Sequence, residues 1–556
     1  MYAPSEARKR DSDLLRGSLA AELAGGEGPF GEGGAELLKF HGIYQQDDRD
    51  LRRGIDRDYV FMVRASVPGG VLSAEQYLVA DALADWVGDG TVRITSRQGL
   101  QWHRVRKGSL RPMVWTLNQS LVTTFGACGD VVRNVAACPA GLAPFDAPGW
   151  AARLAERFRP ASRAYWEIWI DGSPTVSSHP AADEDEPIYG AAYLPRKFKI
   201  GIAAPGDNCV DVATHDVGLV PVATAAGELE AFTVLVGGGQ GRSHNRPDTY
   251  PRLGDPLTTV EPEHVIDVVE AVVTIQRDHG NRDDRKLARL KYLIDAWGLG
   301  PFRAAVAERL GHRLPAPRAV SWTSHTDHLG WQRQASGAWF LGVVVESGRI
   351  ADVGERRLRS ALRQVADQFR PEVRLTPQQN LLFVGVADAE RAAVDDVLTA
   401  HGVASAETLA PLVRDAMACV ALPTCALALT DAERSLPAIV GAVHDALGRL
   451  EIGGDAVPLR VTGCPNGCAR PYTAEIGLVG RRKRIYDIHL GGAADGTRLN
   501  ALVFELVAEE HITPVLEPIL VAWRDRRRPG ETFGDFCHRA GSDGLAVLAG
   551  REVVAS

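Results

Sequence analysis

The chain carries an internal duplication, and this repeat limits the folds that it can adopt. The segment VRITSRQGLQW at 92–102 resembles VRLTPQQNLLF at 373–383, and 215–242 resembles 474–498. In the second pair, alternating apolar strands run into a Gly-rich turn. The partners lie 281 and 259 residues apart, which indicates a long-range duplication and not a solenoid repeat. A duplicated α+β unit usually packs about a pseudo-twofold axis, and the interface between the halves is then the natural place for a large cofactor.

Composition narrows the class of protein. At 556 residues the chain exceeds what one core supports, so several domains are expected. Its 45% hydrophobic and 24% charged residues are typical of soluble globular proteins, and the sequence has no run of eighteen apolar residues. The N-terminus has no apolar core of a secretory signal, so a cytoplasmic location is expected. A net charge of -8 gives no indication of nucleic-acid binding.

Four of the eight cysteines form two closely spaced pairs, Cys419 with Cys425 and Cys464 with Cys468. Close pairs suit an iron–sulfur cluster, because one loop can then supply two thiolates. Structural zinc is the alternative, although it prefers a shorter spacing than the five residues between Cys419 and Cys425. Incidental buried cysteines are the third reading. The other four have no partner at ligand spacing and are expected to be packing residues: Cys128, Cys138, Cys209 and Cys537.

Basic residues in the first half are embedded in apolar sequence, where burying them is costly unless they are paired. The simplest expectation for a single arginine is a nearby carboxylate. The segments FMVR, VRITSRQ and LPRKFK contain no Asp or Glu, so the set predicts an anionic partner. Its members are Arg64, Arg93, Arg97, Arg133, Arg196, Lys197 and Lys199.

The run TGCPNGCARP, with Cys-x5-Cys upstream, resembles the signature of the sirohaem-dependent sulfite and nitrite reductases. The resemblance covers nearly the whole chain after the N-terminal segment; it includes KFHGIYQQDDRD at 39–50, RNVAACPA at 133–140 and EPIYGAAYLPRKFK at 186–199. It implies an α+β protein with the duplicated nitrite/sulfite reductase fold and pseudo-twofold symmetry.

That fold pairs one ferredoxin-like module, assembled from both halves, with two related α+β domains. The expected divisions are a flexible tail over 1–36, ferredoxin-like halves over 37–120 and 321–405, a first sirohaem-binding domain over 121–320, and a C-terminal 4Fe–4S and sirohaem-binding domain over 406–556.

The resemblance also implies roles for individual residues. Cys419, Cys425, Cys464 and Cys468 would bind a 4Fe–4S cluster, and Cys468 would bridge it to the sirohaem iron. Arg93, Arg97 and Arg196 would bind sirohaem carboxylates, and Arg289 stands where the family often has a lysine for the same purpose. The substrate-binding set would be Arg64, Arg133, Lys197 and Lys199. Secondary hydrogen bonds to the cofactor site are expected from Gln101, His103 and Asn466, although a structural role is equally expected for His103.

Substrate and electron donor follow from the same resemblance. Two lysines in LPRKFK favour sulfite, a dianion near neutral pH, over the monoanion nitrite, because an added cation attracts the dianion more strongly. The expected reaction is the six-electron reduction of sulfite to sulfide in sulfur assimilation, with nitrite reduction to ammonia as the alternative. No dinucleotide fingerprint or flavin domain is recognisable, so the donor is expected to be a separate protein. Ferredoxin is the first choice, and the flavoprotein subunit of an NADPH-dependent reductase is the alternative.

Two basic runs, 481–484 and 524–528, could attract an acidic donor. A solvated surface is the simpler interpretation of such runs.

Overall fold

A computed structural model describes residues 3–550, except 27, 53, 55–56, 163, 165–166, 171–172 and 178–185. The described residues form a mixture of helices and sheets. The α-helices are α1 (Pro4–Arg10), α2 (Leu19–Ala24), α3 (Glu32–Leu37), α4 (Ala74–Val87), α5 (Leu110–Gln119), α6 (Ala147–Arg157), α7 (Val265–His279), α8 (Leu290–Trp297), α9 (Leu299–Leu310), α10 (Leu358–Phe369), α11 (Arg391–Ala400), α12 (Pro411–Asp415), α13 (Leu436–Arg449), α14 (Ile512–Arg526) and α15 (Phe533–Leu548). Among the described residues, none of the helices is long and apolar enough to span a bilayer.

Two five-stranded sheets repeat one topology, which confirms the duplication. The first has the order β12-β11-β10-β9-β6 and the second β20-β21-β22-β23-β24. In each sheet, the three strands that come first along the chain pair in parallel, and the two strands that follow are added as antiparallel pairs. The strands are β6 (Ala136–Ala137), β9 (Ile200–Ile202), β10 (Val217–Ala223), β11 (Leu229–Val236), β12 (Asp255–Val260), β20 (Met417–Ala418), β21 (Leu459–Thr462), β22 (Ile476–Arg482), β23 (Ile485–Leu490) and β24 (Ala501–Ala508).

The other two five-stranded sheets exchange strands between the halves, as the ferredoxin-like module requires. Their orders are β1-β2-β5-β4-β15 and β13-β14-β19-β18-β3. The strands are β1 (Ile43–Asp47), β2 (Tyr59–Arg64), β3 (Val71–Leu72), β4 (Val92–Ile94), β5 (Leu100–Val105), β13 (Gly330–Arg333), β14 (Trp339–Val343), β15 (Arg349–Ile350), β18 (Glu372–Leu375) and β19 (Leu381–Val386). First-half β3 pairs with β18, and second-half β15 pairs with β4. Two small hairpins complete the strands: β7 (Glu167–Ile170) with β8 (Ser173–Ser177), and β16 (Asp352–Val353) with β17 (Arg356–Arg357).

Equivalent glutamines at the two β-turns show how closely the copies correspond. Gln98 and Gln379 both have positive φ, at 57° and 73°. Gln98 Nε2 donates to the carbonyl oxygen of Leu375 at 2.8 Å, and Gln379 Nε2 donates to that of Ile94 at 3.4 Å. Each side chain therefore ties the turn of its own half to a strand of the other half.

The N-terminal segment differs from the flexible tail expected from its Gly- and Glu-rich sequence. Lys9 in α1 is 1% exposed; its Nζ contacts Glu6 at 2.6 Å and Asp130 at 3.5 Å and donates to the Leu194 carbonyl at 2.7 Å. Arg282 forms a further ion pair with Glu6. Asp130 and Arg282 lie far away in the sequence, which is why the composition of the segment alone was a poor guide. Helix α1 is consequently packed against the first half of the protein.

Candidate functional site

The predicted cluster cysteines lie at the carboxyl ends of two neighbouring parallel strands. Cys419 follows β20 directly, and Cys464 comes two residues after β21. Carboxyl ends of parallel strands meet at one edge of a sheet, so both cysteine loops are brought together there. The Gly463 N–H donates to Cys419 Sγ at 3.3 Å, and Asn466 Nδ2 donates to Cys464 Sγ at 3.5 Å. Asn466 thus contacts a predicted cluster ligand.

The spacing of these thiols favours a cluster over a single zinc ion. Tetrahedral zinc would hold thiolate sulfurs about 3.8 Å apart. Within the described residues, one group of at least three His, Cys, Asp or Glu donors converges within 4.8 Å, and it contains none of these four cysteines. Burial raises the pKa of Cys419, Cys425 and Cys464, the last to about 12, and the neighbouring Cys468 raises them further. These three buried thiols would therefore need a bound cation to stabilise their thiolate forms, whereas Cys468 is exposed.

Residues from the first half hold the cysteine loops, and no pattern in the sequence identifies them. Arg49 Nη1 donates to the Ala428 carbonyl at 2.9 Å, and its Nη2 contacts the Cys425 carbonyl. Ser96 Oγ donates to the Cys468 carbonyl at 2.8 Å. The Arg242 N–H donates to the Pro465 carbonyl at 3.0 Å. Arg49 lies in the KFHGIYQQDDRD motif, so the resemblance was a signal for this region without indicating the contact.

The charge of Cys468 acts on both predicted substrate lysines, Lys197 and Lys199. Burial lowers the pKa of Lys197 to about 7, and the charges of Arg196 and Arg289 lower it further, while Cys468 opposes the shift. Burial also holds the pKa of Lys199 well below its ordinary value, assisted by Lys197. Both lysines are therefore within electrostatic reach of Cys468 and of each other, and a bound anion would stabilise their charged forms.

The two predicted substrate arginines border the same region. Arg64 Nη1 donates to Cys128 Sγ at 3.0 Å, and its Nε donates to the Gln101 amide oxygen at 2.8 Å when that amide is turned toward it. Arg133 Nε donates to the Gly129 carbonyl at 2.6 Å, and its charge lowers the pKa of Lys197. Gln101 therefore orients Arg64 within the protein.

Arg97 is the best evidence that the site takes an anionic cofactor. Its Nη2 contacts the carbonyl oxygens of Asn134 and Ile200. Its Nε and Nη1 are buried, and neither has a hydrogen-bond partner among the described residues. Burial lowers the pKa of Arg97 to about 9, and burial likewise lowers that of Arg196 to about 10. A cofactor carboxylate would satisfy such a guanidinium with a bidentate pair.

Arg93 and Arg289, which the resemblance assigns to cofactor carboxylates, each also contact a carboxylate of the protein, so their role toward the cofactor stays a prediction. Arg93 Nε lies 3.4 Å from Glu433, and its Nη2 donates to the Ala418 carbonyl at 2.8 Å. Arg289 donates twice to Asp216, at 2.9 and 2.8 Å. Both acids are distant in sequence, so the lack of an acid beside Arg93 did not show that it was unpaired.

His103 lies in β5 and is buried, and neither of its ring nitrogens has a partner in the described part of the chain. Burial holds its pKa well below its ordinary value, with Arg349 and Arg93 adding to the effect. The ring is therefore neutral at physiological pH.

The basic runs are partly neutralised. In 481–484, Arg481 pairs with Asp487 at 2.9 Å and Arg484 with Glu509 at 3.0 Å, while Arg482 and Lys483 are exposed. In 524–528, Arg524 and Arg527 pair with Asp525 and Asp455. The β22–β23 turn adjoins the cysteine loops, since the Arg484 N–H donates to Thr430 Oγ1 at 2.6 Å. The charge that this turn can offer a partner is thus concentrated in Arg482 and Lys483.

Comparisons with known proteins agree with this arrangement. The family model described as the nitrite and sulphite reductase 4Fe-4S domain matches residues 149–314 and 410–553. The nitrite/sulfite reductase ferredoxin-like half domain matches 52–119 and 332–401.

Among curated proteins, the chain is 41% identical to the sulfite reductase (ferredoxin) of Synechococcus elongatus, over 97% of this chain and 89% of that protein. It is 45% identical to the sulfite reductase (NADPH) hemoprotein beta-component of Acidithiobacillus ferrooxidans, over 96% of this chain and 95% of that one. Among solved structures, Mycobacterium tuberculosis NirA is similar with a TM-score of 0.77 and 24% identity, covering 97% of this chain and 95% of that one.

Proposed function

Since the chain belongs to the nitrite and sulfite reductase family, we propose that it catalyses the six-electron reduction of sulfite to sulfide with ferredoxin as the electron donor. The observation that carries this proposal is the set of cations beside Cys468. An oxyanion that accepts electrons and loses its oxygens as water needs positive charge and protons at one place.

A 4Fe–4S cluster and sirohaem are the cofactors of this family, and the residues present fit them. Cys419, Cys425, Cys464 and Cys468 would hold the cluster, and Cys468 would serve the sirohaem as well. Arg97 and Arg196 would bind sirohaem carboxylates, since Arg97 has two buried nitrogens to offer. When bound, the two groups supply single-electron transfer and an iron atom at which sulfite is reduced.

The chain's own contribution is charge and protons. Arg64 and Arg133 are held in place by Gln101 and by the Gly129 carbonyl, so they would bind the oxyanion as fixed cations. Lys197 and Lys199 have lowered pKa values, so their ammonium protons are given up more readily than those of an exposed lysine. We assign proton delivery to these two lysines.

Nitrite reduction to ammonia is the second candidate activity. Two lysines in this position favour the dianion sulfite, and both relatives described above are named as sulfite reductases. Turnover of sulfite and nitrite by the cofactor-loaded enzyme with reduced methyl viologen tests the choice. A higher kcat/KM for sulfite, with sulfide as product, is expected. A higher kcat/KM for nitrite would contradict the proposal.

The proposed donor rests on a relative named for ferredoxin and on the exposed cations beside the cysteine loops. The other relative is named for NADPH, so a flavoprotein partner is the alternative. Comparing the rates of sulfite reduction with reduced ferredoxin and with an NADPH-dependent flavoprotein reductase distinguishes them. A faster reaction with the flavoprotein would overturn the ferredoxin assignment and leave sulfite reduction intact.

A further inference from the structure

A second group of possible metal ligands lies buried outside the proposed cofactor site. Cys138, Asp207, Cys209 and His328 each direct one donor atom inward, and these atoms all lie within 4.8 Å of one another. The four residues are 2%, 8%, 1% and 4% exposed, respectively. The sequence alone predicts packing roles for Cys138 and Cys209, because 71 positions separate them along the chain.

The duplication explains why two cysteines meet here. Cys138 directly follows β6, which pairs with β9, just as Cys419 follows β20, which pairs with β21. In the first sheet Ala136 lies opposite Gly201, and in the second sheet Met417 lies opposite Arg460 in the same register. Cys138 therefore occupies the place of Cys419, 281 residues earlier.

The second pair of repeated segments is separated by 259 residues, and this separation relates the second cysteine of the group to a cluster cysteine. Cys209 occupies the place of Cys468, 259 residues earlier, and Asp207 that of Asn466. Pro205 stands where the other copy has Cys464, so a complete set of four cluster cysteines does not recur in the first copy. The first half has kept two of the cluster positions and combined them with a carboxylate and an imidazole.

The distances match a tetrahedral single-ion site. Zinc bonds of about 2.3 Å to sulfur and about 2.0–2.1 Å to nitrogen or oxygen place S and N or O donors about 3.5 Å apart. Cys138 Sγ lies 3.5 Å from Asp207 Oδ2 and 3.6 Å from His328 Nε2. His328 Nε2 and Asp207 Oδ2 are 2.9 Å apart. In a zinc tetrahedron a nitrogen and an oxygen ligand are roughly 3.3 Å apart, so these two atoms would move apart by about 0.4 Å.

Further contacts fix the donors in place. The Cys209 N–H donates to Asp207 Oδ1 at 3.0 Å, leaving Oδ2 toward the group. The His328 N–H donates to Asp327 Oδ1 at 3.1 Å. Arg470 Nη1 donates to the Val210 carbonyl at 3.0 Å and brings a cation close to a site with two thiolates and a carboxylate. Such orienting contacts are typical of metal sites.

We propose that Cys138, Asp207, Cys209 and His328 bind one structural zinc ion. A buried, four-donor set with no open position is the pattern of structural zinc. Because His328 precedes β13 and the other three ligands belong to the first copy, the ion fastens the first α+β domain to the second ferredoxin-like half. This site is independent of the proposed reduction of sulfite.

Elemental analysis and zinc K-edge X-ray absorption of the cofactor-loaded wild-type enzyme test the proposal, after growth with added zinc. About one zinc per chain is expected, with two sulfur neighbours near 2.3 Å and two nitrogen or oxygen neighbours at about 2.0–2.2 Å. Iron does not contribute at this absorption edge. Zinc below about a tenth of an atom per chain, or zinc without sulfur neighbours, would overturn the site.

Variants locate the ion. Cys138→Ser and Cys209→Ser should each lower the zinc content at least ten-fold, whereas Cys537→Ala, at another buried cysteine, should retain it. Zinc retained in both serine variants would contradict the assignment. If the variants do not fold, the wild-type protein is denatured under anaerobic conditions and its free thiols are alkylated. This shows whether Cys138 and Cys209 are free thiols or form a disulfide. A Cys138–Cys209 disulfide found in this way would also exclude the zinc site.

Discussion

At the scale of single residues, the cations of the first half fall into two kinds. Arg93 and Arg289 meet protein carboxylates, whereas Arg97 keeps two buried guanidinium nitrogens without a partner in the described residues. A buried cation is costly unless something compensates it, so the second kind points to an external anion. Sequence could identify the whole set as unusual, but only the three-dimensional positions of Glu433 and Asp216 separate the two kinds.

Cys468→Ser should abolish assembly of both cofactors, because Cys468 is the proposed shared ligand. Iron, acid-labile sulfide and the absorption spectrum of the purified variant measure this. Cys537→Ala is the matched control, since Cys537 is buried and lies outside both proposed metal sites. Cys128 is less suitable, because it contacts Arg64. Equal cofactor loss in both variants would show that the ligands are misassigned.

Lys199→Asn should shift the preference of the enzyme from sulfite toward nitrite. Removing one cation from a half-buried site costs the dianion more than the monoanion, by about 1–2 kcal/mol, or roughly ten-fold in relative kcat/KM. Steady-state kinetics with reduced methyl viologen measure the ratio without involving a docking protein. If both activities fell together, Lys199 would serve the two substrates equally.

The cysteine residues show what sequence spacing can and cannot predict. The pairs Cys419–Cys425 and Cys464–Cys468 are close enough in sequence to suggest metal ligands. Cys138 and Cys209 are too far apart in sequence to suggest metal ligands. The other two members of their group are Asp207 and His328, and His328 comes from the other half of the chain. The two offsets of the duplication relate Cys138 to Cys419 and Cys209 to Cys468, but only the structure shows that Cys138 and Cys209 lie close to His328.

At the scale of elements, the turns that join the halves are tightly constrained. Gly348 has φ of +73°, and a Cβ there would lie 2.3 Å from the Ile94 carbonyl oxygen. Its counterpart Gly70 has φ of +77° and would meet the Leu375 carbonyl at 2.4 Å. Substitution at either turn therefore disturbs an exchanged strand.

Gly348→Ala should destabilise the protein by about 2–4 kcal/mol, because it adds backbone strain and a steric overlap. Gly354→Ala isolates the strain, since Gly354 has φ of +57° and open space around its Cβ position. Urea unfolding followed by circular dichroism measures both variants. Equal destabilisation would mean that the contact with Ile94 contributes nothing.

The β22–β23 turn is the element expected to meet the donor. Replacing Arg482 and Lys483 by alanine should slow sulfite reduction by reduced ferredoxin several-fold at low salt and leave methyl viologen activity unchanged. Physiological salt should reduce the difference, because screening shortens charge interactions to about 8 Å. Alanine at Arg526 and Arg528, in the other basic run, is the control. An unchanged ferredoxin rate in the turn variant would place docking elsewhere.

At the scale of the whole molecule, the sequence predicted the duplication and the assembly of the ferredoxin-like module from both halves. It did not reveal which strands cross, because β3 and β15 are two residues long and have no pattern of their own. The sequence also predicted a flexible N-terminal segment. One of the acids that neutralise Lys9 is Asp130, and this contact is not visible from the composition of the segment.

The exchange of strands predicts that the halves cannot fold separately. A fragment of residues 1–320 lacks β15 and β18, so β3 loses its partner strand and β4 keeps only β5. Expressed alone, it should be insoluble or unfold without a cooperative transition, whereas the full chain should unfold cooperatively. Differential scanning calorimetry measures this. A soluble fragment with a sharp transition would show that the exchange is dispensable.

The pairing of β3 with β18 also has a consequence for biosynthesis. A ribosome that adds about 5–20 residues per second needs roughly 15–60 s to pass from one strand to the other. During that interval the edges of the first half are unpaired, and such edges can join the wrong chain. The Ile94 carbonyl and the Gly70 turn lack their partners, Gln379 and Leu375, for about as long. A chaperone would therefore be needed most while the first half has been synthesised and its strand edges are still unpaired, before either iron cofactor can be inserted.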